Sequence, residues 1–244
     1  MLNFFQSFLD LLYPRFCYAC QERVKEIGSI YLCPRCMGKV TLIGEKVCPI
    51  CGRPGYVELC PYCFEERPPF KMARSAGLYE GILKEGIHRL KYNGHTFLVP
   101  TLGKFLQSAF ERESEWAENI DMVIPVPLER NRERQRGFNQ SALLAQYLAQ
   151  NVSLLYPGRV LLKLKKTAPQ VNLTRGDRFV NLSGAFSLNP RKGDTPYPRI
   201  SLSAKRILLV DDVYTTGATV GECSRVLLKA GAKEVNIFTL ARGT

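Results

Sequence analysis

Residues 205–240 read KRILLVDDVYTTGATVGECSRVLLKAGAKEVNIFTL, and this stretch decides the fold class. The apolar run Ile207–Val210 predicts a strand that is buried on both faces of a parallel sheet. A helix is predicted from about Thr219 to Lys229, and a second strand from Val235 to Leu240. Strand, polar loop, helix and strand in this order form half of a doubly wound α/β sheet, whose ligands bind at the carboxyl ends of the strands.

The loop after the first of these strands has the composition of a phosphate site. Gly217 permits close backbone approach, the following helix offers free N–H groups at its start, and the threonines of Thr215–Thr219 add hydroxyl donors. Asp211 and Asp212 can accept hydrogen bonds from ribose hydroxyls and can interact with Mg²⁺ directly or through water. An Asp-Asp pair at a strand end is by itself also common as a solvated turn or a helix cap.

The whole string Val210–Thr219 resembles the 5-phosphoribosyl-1-pyrophosphate (PRPP) motif of type I phosphoribosyltransferases. The resemblance implies that Asp211 and Asp212 are catalytic residues at the ribose hydroxyls and that Mg²⁺ binds together with PRPP. It also implies that Thr215–Thr219 surround the 5′-phosphate. The PRPP-binding residues are then Val213, Tyr214, Thr215, Thr216, Gly217, Ala218 and Thr219.

A second strand and loop, Asp121–Leu128, are predicted ahead of four arginines at alternate positions and a helix, Ser141–Ala149. Pro127 and Leu128, at the end of this strand, are also assigned to the PRPP site. The arginines are expected in an extended loop, from which they would project to one side. A solvated loop and an anion site, for pyrophosphate or a nucleic-acid backbone, are equally expected. These residues are Arg130, Arg132, Arg134 and Arg136.

Nearly all of the net charge of +12 lies in one block of the sequence. Residues 122–210 contain 15 of the 34 basic and 4 of the 22 acidic residues, which gives this block +11. A uniformly basic surface is therefore excluded, and an anionic partner is indicated. The polar stretch from Lys163 to Phe186 within this block is expected to be a loop or hairpin that closes over the ligand, and residues 187–204 an exposed connection. Further anion- or nucleic-acid-binding candidates are Lys165, Lys166, Arg175 and Arg178, and candidates for either base stacking or the core are Phe138, Phe179 and Phe186.

Eight of the nine cysteines form four Cys-x-x-Cys pairs within the first 63 residues. Two such pairs supply the four thiolates of a closed zinc site, so four pairs predict two structural Zn²⁺ ions. Disulfides are the alternative, but they require an oxidising compartment. Two ribbons in series are expected rather than a cross-brace. The ligands are then Cys17, Cys20, Cys33 and Cys36 for one ion and Cys48, Cys51, Cys60 and Cys63 for the other, while Cys223 is expected to be a buried small hydrophobe.

The composition favours a folded protein without stable membrane insertion. Hydrophobic residues make up 45% of the 244 residues, which is enough to fill a core. No apolar run reaches the ~18 residues of a spanning helix. The start, MLNFFQSFLDLLYP, lacks a basic n-region and a cleavage site, and is expected to be a short helix docked on its own domain. The expected location is cytoplasmic, with the inner face of the membrane as an alternative.

Three features in one order resemble the ComF (competence protein F) family over essentially the whole chain. They are the cysteine pairs, Ile124-Pro-Val-Pro-Leu128 followed by Arg136-Gly-Phe-Asn-Gln140, and the PRPP motif. Two further stretches look like family signatures: Leu90–Gly94, and Gln170 with Arg178, Asn181 and Gly184-Ala-Phe186. The resemblance implies a double zinc ribbon domain, residues 1–66, and a type I phosphoribosyltransferase-like domain, residues 71–244, joined by a stiff linker at residues 64–70.

The resemblance also implies a role in natural transformation, in which incoming single-stranded DNA is handled in the cytoplasm. PRPP, single-stranded DNA and DNA-uptake or recombination proteins are the partners expected from it. Two alternatives stay open: a phosphoribosyltransferase that acts on a small base or amine, and a non-catalytic scaffold that senses PRPP. Fold alone does not choose among them.

Overall fold

The structure is a computed structural model that describes residues 14–24, 31–113, 119–164, 184–190 and 200–243. The chain forms a mainly parallel α/β domain with short cysteine-rich turns at its start. The helices are α1 (Pro34–Met37), α2 (Pro61–Glu65), α3 (Gly81–Asn93), α4 (Val99–Arg112), α5 (Arg130–Arg136), α6 (Gln140–Asn151) and α7 (Ala218–Lys229). The strands are β1 (Met72–Leu78), β2 (Met122–Pro125), β3 (Leu161–Lys163), β4 (Phe186–Leu188), β5 (Arg206–Tyr214) and β6 (Glu234–Arg242).

The main sheet has the strand order β1-β6-β5-β2, and all of its strands are parallel. Its two central strands, β5 and β6, are mostly buried, and the apolar run of β5 is buried throughout, as expected for a sheet covered on both faces. The α/β fold class predicted from residues 205–240 is confirmed. Strand β5 is longer than predicted, because Asp211 and Val213 remain paired with Thr239 and Ala241 of β6.

Alternate residues of β5 point to opposite faces of the sheet. Leu208 and Val210 pack with α3, α4 and α6, whereas Ile207 and Leu209 pack with α7. The connections that leave β2 and β5 therefore cover opposite faces, and a crevice opens between the carboxyl ends of these two strands. Cys223 of α7 is completely buried in the second of these cores, in agreement with its assignment as a small hydrophobe.

The cysteine-rich segment packs along the β1 edge of the sheet. Leu42 bridges Gly77 in an antiparallel sense, and the Ala73 N–H donates to the Ile50 carbonyl over 2.6 Å. The first cysteine group shares a core with α3 and α4, and the second shares a core with α7. The segment thus covers an edge that would otherwise expose unpaired backbone groups.

Two local predictions were wrong in their details. Arg130–Arg136 form a short helix instead of an extended loop, since Arg, Glu and Gln favour helix and Gly137, at φ 87°, ends it in the left-handed conformation. The linker predicted from residue 64 begins later, because α2 continues to Glu65. For Phe138 and Phe186, which the sequence left as candidates for base stacking or the core, the structure favours the core: Phe186 is buried on β4 and Phe138 packs on the core.

Candidate functional site

A cavity of about 250 Å³ lies at the carboxyl ends of β2 and β5. It brings together most of the residues that the sequence assigned to PRPP, although they come from two distant parts of the chain. Lining residues from that set are Pro127, Leu128, Asp211, Asp212, Val213, Tyr214, Thr215, Gly217, Ala218 and Thr219. Thr216 lines a neighbouring cavity of about 360 Å³ on the other side of the loop.

Asp212 is the buried anchor of the crevice, with 4% of its surface exposed. Its carboxylate forms an ion pair with Lys91 of α3 and accepts a hydrogen bond from the Gln140 amide, 3.1 Å away. Burial acts to raise the pKa of Asp212, but Lys91 and the hydrogen bonds outweigh it and lower the pKa. Asp212 is therefore ionised at neutral pH, and its charge is balanced by a buried lysine.

Asp211 lies in a different electrostatic setting from its neighbour. Its Oδ1 atom accepts hydrogen bonds from the Ser141 hydroxyl at 2.6 Å and from the Asp212 N–H at 2.9 Å. Burial and the adjacent Asp212 carboxylate nevertheless raise the pKa of Asp211 to about 7. The pair thus combines one fixed negative charge with a second carboxyl group whose charge can change near neutral pH.

Arg136 connects the crevice to α3. Its guanidinium donates to the Gln140 side-chain oxygen, which leaves the Gln140 amide nitrogen facing Asp212. The same guanidinium lies 5.8 Å from the centre of the Tyr92 ring. Of the other three arginines, Arg132 lines the crevice, Arg130 lines an adjoining cavity of about 200 Å³, and Arg134 is exposed.

Eight lining residues of the crevice were not in the predicted site set: Lys91, Val126, Glu129, Asn139, Gln140, Ser141, Lys163 and Val220. Lys91 and Gln140 lie in stretches that looked like family signatures, but the sequence did not show that they meet the aspartates. Lys163, on β3, lines the crevice and packs on Phe186 of β4, 5.6 Å from the ring centre. Burial and the nearby Arg132 lower the pKa of Lys163.

The threonine loop has the backbone geometry of an anion site. Gly217 adopts φ 82°, and a side chain there would collide with the Tyr214 hydroxyl. Helix α7 begins at the next residue, Ala218, so its first N–H groups and its positive dipole end lie at the loop. The loop is therefore suited to a phosphate group.

The loop is linked to the second cysteine group through Arg242. This buried residue donates to the Cys51 carbonyl oxygen over 2.6 Å, and its guanidinium lies 4.4 Å from the Tyr214 ring centre. Its Nη2 is also 3.7 Å from the Cys51 sulfur. A fully ligated Cys₄ zinc site carries a net negative charge, so a buried guanidinium beside it provides compensation.

The eight cysteines of the start form two clusters, in the serial arrangement expected from the sequence. In each, the four sulfurs lie within 4.8 Å of one another. The Cys20–Cys33 and Cys51–Cys60 sulfur pairs are 3.7 and 3.5 Å apart, close to the roughly 3.8 Å edge of a tetrahedron with Zn–S bonds of ~2.3 Å. All are free thiols. The two Cys₄ sites are compatible with structural zinc.

Several predicted residues lie outside the described part of the chain. These are Lys165, Lys166, Arg175, Arg178 and Phe179, together with residues 1–13. Among the described residues, no helix is long and apolar enough to cross a bilayer.

The comparisons with known proteins match both parts of the chain. A family model described as a double zinc ribbon domain matches residues 8–65. Solved structures similar to the chain include a hypoxanthine phosphoribosyltransferase from Staphylococcus aureus, 12% identical with a TM-score of 0.36, covering 58% of this chain and 62% of that one. A purine phosphoribosyltransferase from Pyrococcus horikoshii is 17% identical with a TM-score of 0.34, covering 60% and 83%. The family model and the fold define the class as a double zinc ribbon region followed by a parallel α/β sheet.

Curated relatives extend over the whole chain. Competence protein F of Haemophilus influenzae is 32% identical over 93% of this chain and 96% of its own length. DNA utilization protein YhgH of Escherichia coli K12 is 29% identical over 95% and 99%, and competence protein ComFC of Bacillus subtilis is 29% identical over 86% and 84%. The chain belongs to the competence protein F (ComF) family.

Replacing Asp211 with asparagine is expected to stabilise the ligand-free protein. Because folding raises the pKa of Asp211, ionising it costs folding free energy, and this cost appears as the pH rises from about 4 to above 7. Asp211→Asn should therefore raise Tm by about 2–4 °C at pH 8, which corresponds to ~1 kcal/mol, and by less at pH 5. Thermal melts between pH 5 and 8 measure the difference.

Asp121→Asn is the matched control, because its expected effect has the opposite sign. The Asp121 carboxylate accepts from the Arg206 N–H at 2.7 Å, which lowers the pKa of Asp121. Its replacement should lower Tm at every pH above about 4. A Tm gain of Asp211→Asn over the wild type that shrinks as the pH rises would contradict the assigned direction.

Proposed function

We propose that this protein binds PRPP with Mg²⁺ in the crevice between β2 and β5, and that it handles incoming single-stranded DNA in the cytoplasm during natural transformation. The observation that carries the proposal is the arrangement at the end of β5. There, a carboxylate pair, with Asp212 buried and Asp211 half-buried, is held by Lys91, Gln140 and Ser141 next to a threonine loop at a helix start. The names of the relatives, competence protein F and DNA utilization protein, support the DNA role.

Each group of the crevice has a defined part in this proposal. Asp211 and Asp212 accept hydrogen bonds from the ribose hydroxyls, and the Thr215–Thr219 loop with the start of α7 binds the 5′-phosphate. Lys163 and Arg132 are the cations available for the pyrophosphate. The two carboxylates are hard oxygen donors that fit Mg²⁺, which when bound neutralises the pyrophosphate charge. Lys91 and Gln140 keep Asp212 ionised and oriented.

Single-stranded DNA is assigned to the basic surface beside the crevice. Helix α5 exposes Arg130, Arg132 and Arg134, although α5 is too short to give a continuous stripe. Because residues 122–210 hold nearly all of the net charge, this region attracts a phosphate backbone most strongly.

The wider proposal covers domain boundaries, partners and location. It includes domains at residues 1–66 and 71–244, contacts with DNA-uptake or recombination proteins, and an alternative location at the inner face of the membrane.

A phosphoribosyl transfer reaction is the second candidate function. In it the bond between the anomeric carbon and the pyrophosphate oxygen breaks as an acceptor nitrogen bonds to that carbon, and the pair of bonding electrons leaves with pyrophosphate. This reaction needs side chains that position the reactants and stabilise the departing charge, and the crevice supplies both kinds. It does not need a nucleophilic side chain from the protein. Acceptor-dependent release of pyrophosphate from PRPP supports it, whereas stoichiometric PRPP binding without release supports a sensing scaffold.

A thermal-shift titration with PRPP and Mg²⁺, with and without single-stranded DNA, tests the proposal. At 100 times the Kd a ligand adds about 2.7 kcal/mol, so Tm should rise by about 5–10 °C. Asp211→Asn should abolish this rise. Changing Arg130 and Arg134 to alanine together should keep the PRPP shift, because neither residue lines the crevice, but should reduce the dependence of log K on log salt for DNA by about 1.4. No PRPP shift in the wild type, or salt-insensitive DNA binding, would refute the respective half of the proposal.

A further inference from the structure

Tyr92, at the end of α3, is a large aromatic side chain exposed to solvent. Its relative exposure is 68%, although it directly follows Lys91, which is largely buried against Asp212. The His88 ring, one helical turn earlier, lies 4.6 Å from the Tyr92 ring centre and supports it from the side. A ring that remains so exposed contributes little to the core, and its face is accessible to a ligand.

The surroundings of Tyr92 match those of a base-stacking site. The Arg136 guanidinium lies 5.8 Å from the ring centre and also contacts Gln140, which contacts Asp212. The ring is thus beside the crevice network and contacts Arg136 at the end of α5, the helix that also carries the exposed arginines. An exposed ring beside cations that can bind phosphates is the combination that single-strand binding requires.

The aromatic candidates named from the sequence do not supply such a ring in the described residues. Phe186 is buried and Phe138 packs on the core. We therefore infer that Tyr92 is the stacking platform for an unpaired nucleobase of single-stranded DNA, and that Arg136 contacts both this ring and the carboxylate network of the crevice. This inference rests on the proposed DNA-binding function and adds the site at which the base is held.

An oligonucleotide that contains 2-aminopurine tests the platform, since the fluorescence of this base is quenched when it stacks. The wild type should quench it on binding. Tyr92→Ala should lose the quenching and weaken binding by roughly 5–10-fold, the low end expected for one stacked base, while Tyr92→Phe should keep both. Phe64→Ala is the matched control, because Phe64 is an aromatic residue that is 80% exposed on the second ribbon. It should bind as the wild type does.

An abasic oligonucleotide of the same length separates stacking from a general loss of affinity. On this strand the wild type and Tyr92→Ala should bind equally. Equal binding of the two proteins to the normal strand, or the same loss on the abasic strand, would overturn the platform while leaving the proposed function intact. A wild type that binds neither strand would instead refute the proposed DNA function itself. Tm and zinc content establish that each variant is folded.

Discussion

Cys60→Ser is expected to release one zinc ion and to lower Tm by at least about 10 °C. The four sulfurs of the second cluster are buried, and the cluster shares a hydrophobic core with β5 and α7. Structural zinc contributes an apparent ~10–16 kcal/mol to the folding of small zinc domains, and ~1 kcal/mol shifts Tm by about 2–4 °C at this chain length. Metal analysis and thermal melts of the same preparation measure the two effects together.

The control for this experiment is Cys223→Ala. Cys223 is also completely buried, but it lies on α7 apart from both clusters. This variant should retain two zinc ions and lose only the modest stability expected from removing one sulfur atom from a core. If Cys60→Ser also retained two zinc ions, or melted like the wild type, the structural role of the second cluster would be wrong.

Zinc removal is also expected to affect the threonine loop, because Arg242 lies between the second cysteine cluster and this loop. Without the thiolate cluster, the buried guanidinium loses its compensating charge beside Cys51 while it still lies against Tyr214. Cys60→Ser should therefore weaken PRPP binding more than the corresponding Cys33→Ser change in the first cluster. This ranking follows from the contacts of Arg242, which the cysteine spacing alone does not indicate.

The features that the sequence predicted correctly are those governed by short-range patterns. An apolar run, a glycine that ends or starts a helix, and two cysteines separated by two residues each have a local physical meaning. These patterns were sufficient to predict β5, α7, β6 and the two cysteine clusters. The prediction for Arg130–Arg136 was wrong for a local reason. The arginines at alternate positions suggested an extended loop, but the helix propensities of these residues favour the helix that is observed.

The residues that contact the two carboxylates could not be predicted from local sequence patterns. Gln140 and Ser141 are 72 and 70 residues from the aspartates that they contact, and Lys91 is farther away still. Only the packing of α3 and α6 on one face of the sheet brings these three residues to the end of β5. No periodicity in a single sequence encodes such a pairing, although Lys91 and Gln140 both lay in stretches similar to the family.

Breaking the Lys91–Asp212 ion pair is expected to destabilise the protein strongly. Removing one partner of a buried pair leaves an uncompensated charge, which typically costs ~3–5 kcal/mol. Lys91→Met and Asp212→Asn should each show a loss of this order in urea unfolding with saturating zinc. The double variant should lose less than the sum of the two, because it leaves neither charge unpaired.

Lys84→Met is the control, since Lys84 lies exposed on the same helix and its replacement should change the unfolding free energy by less than about 0.5 kcal/mol.

Lys91→Met, Asp212→Asn and the double variant also separate the effect on stability from the effect on ligand binding. The double variant should regain part of its stability but not its PRPP-dependent rise in Tm, because the carboxylate that accepts the ribose hydroxyl is absent. Additive losses in the cycle would show that the two side chains do not interact. A normal PRPP shift in Asp212→Asn would show that this carboxylate does not contact the ligand, even if the ion pair stabilises the fold.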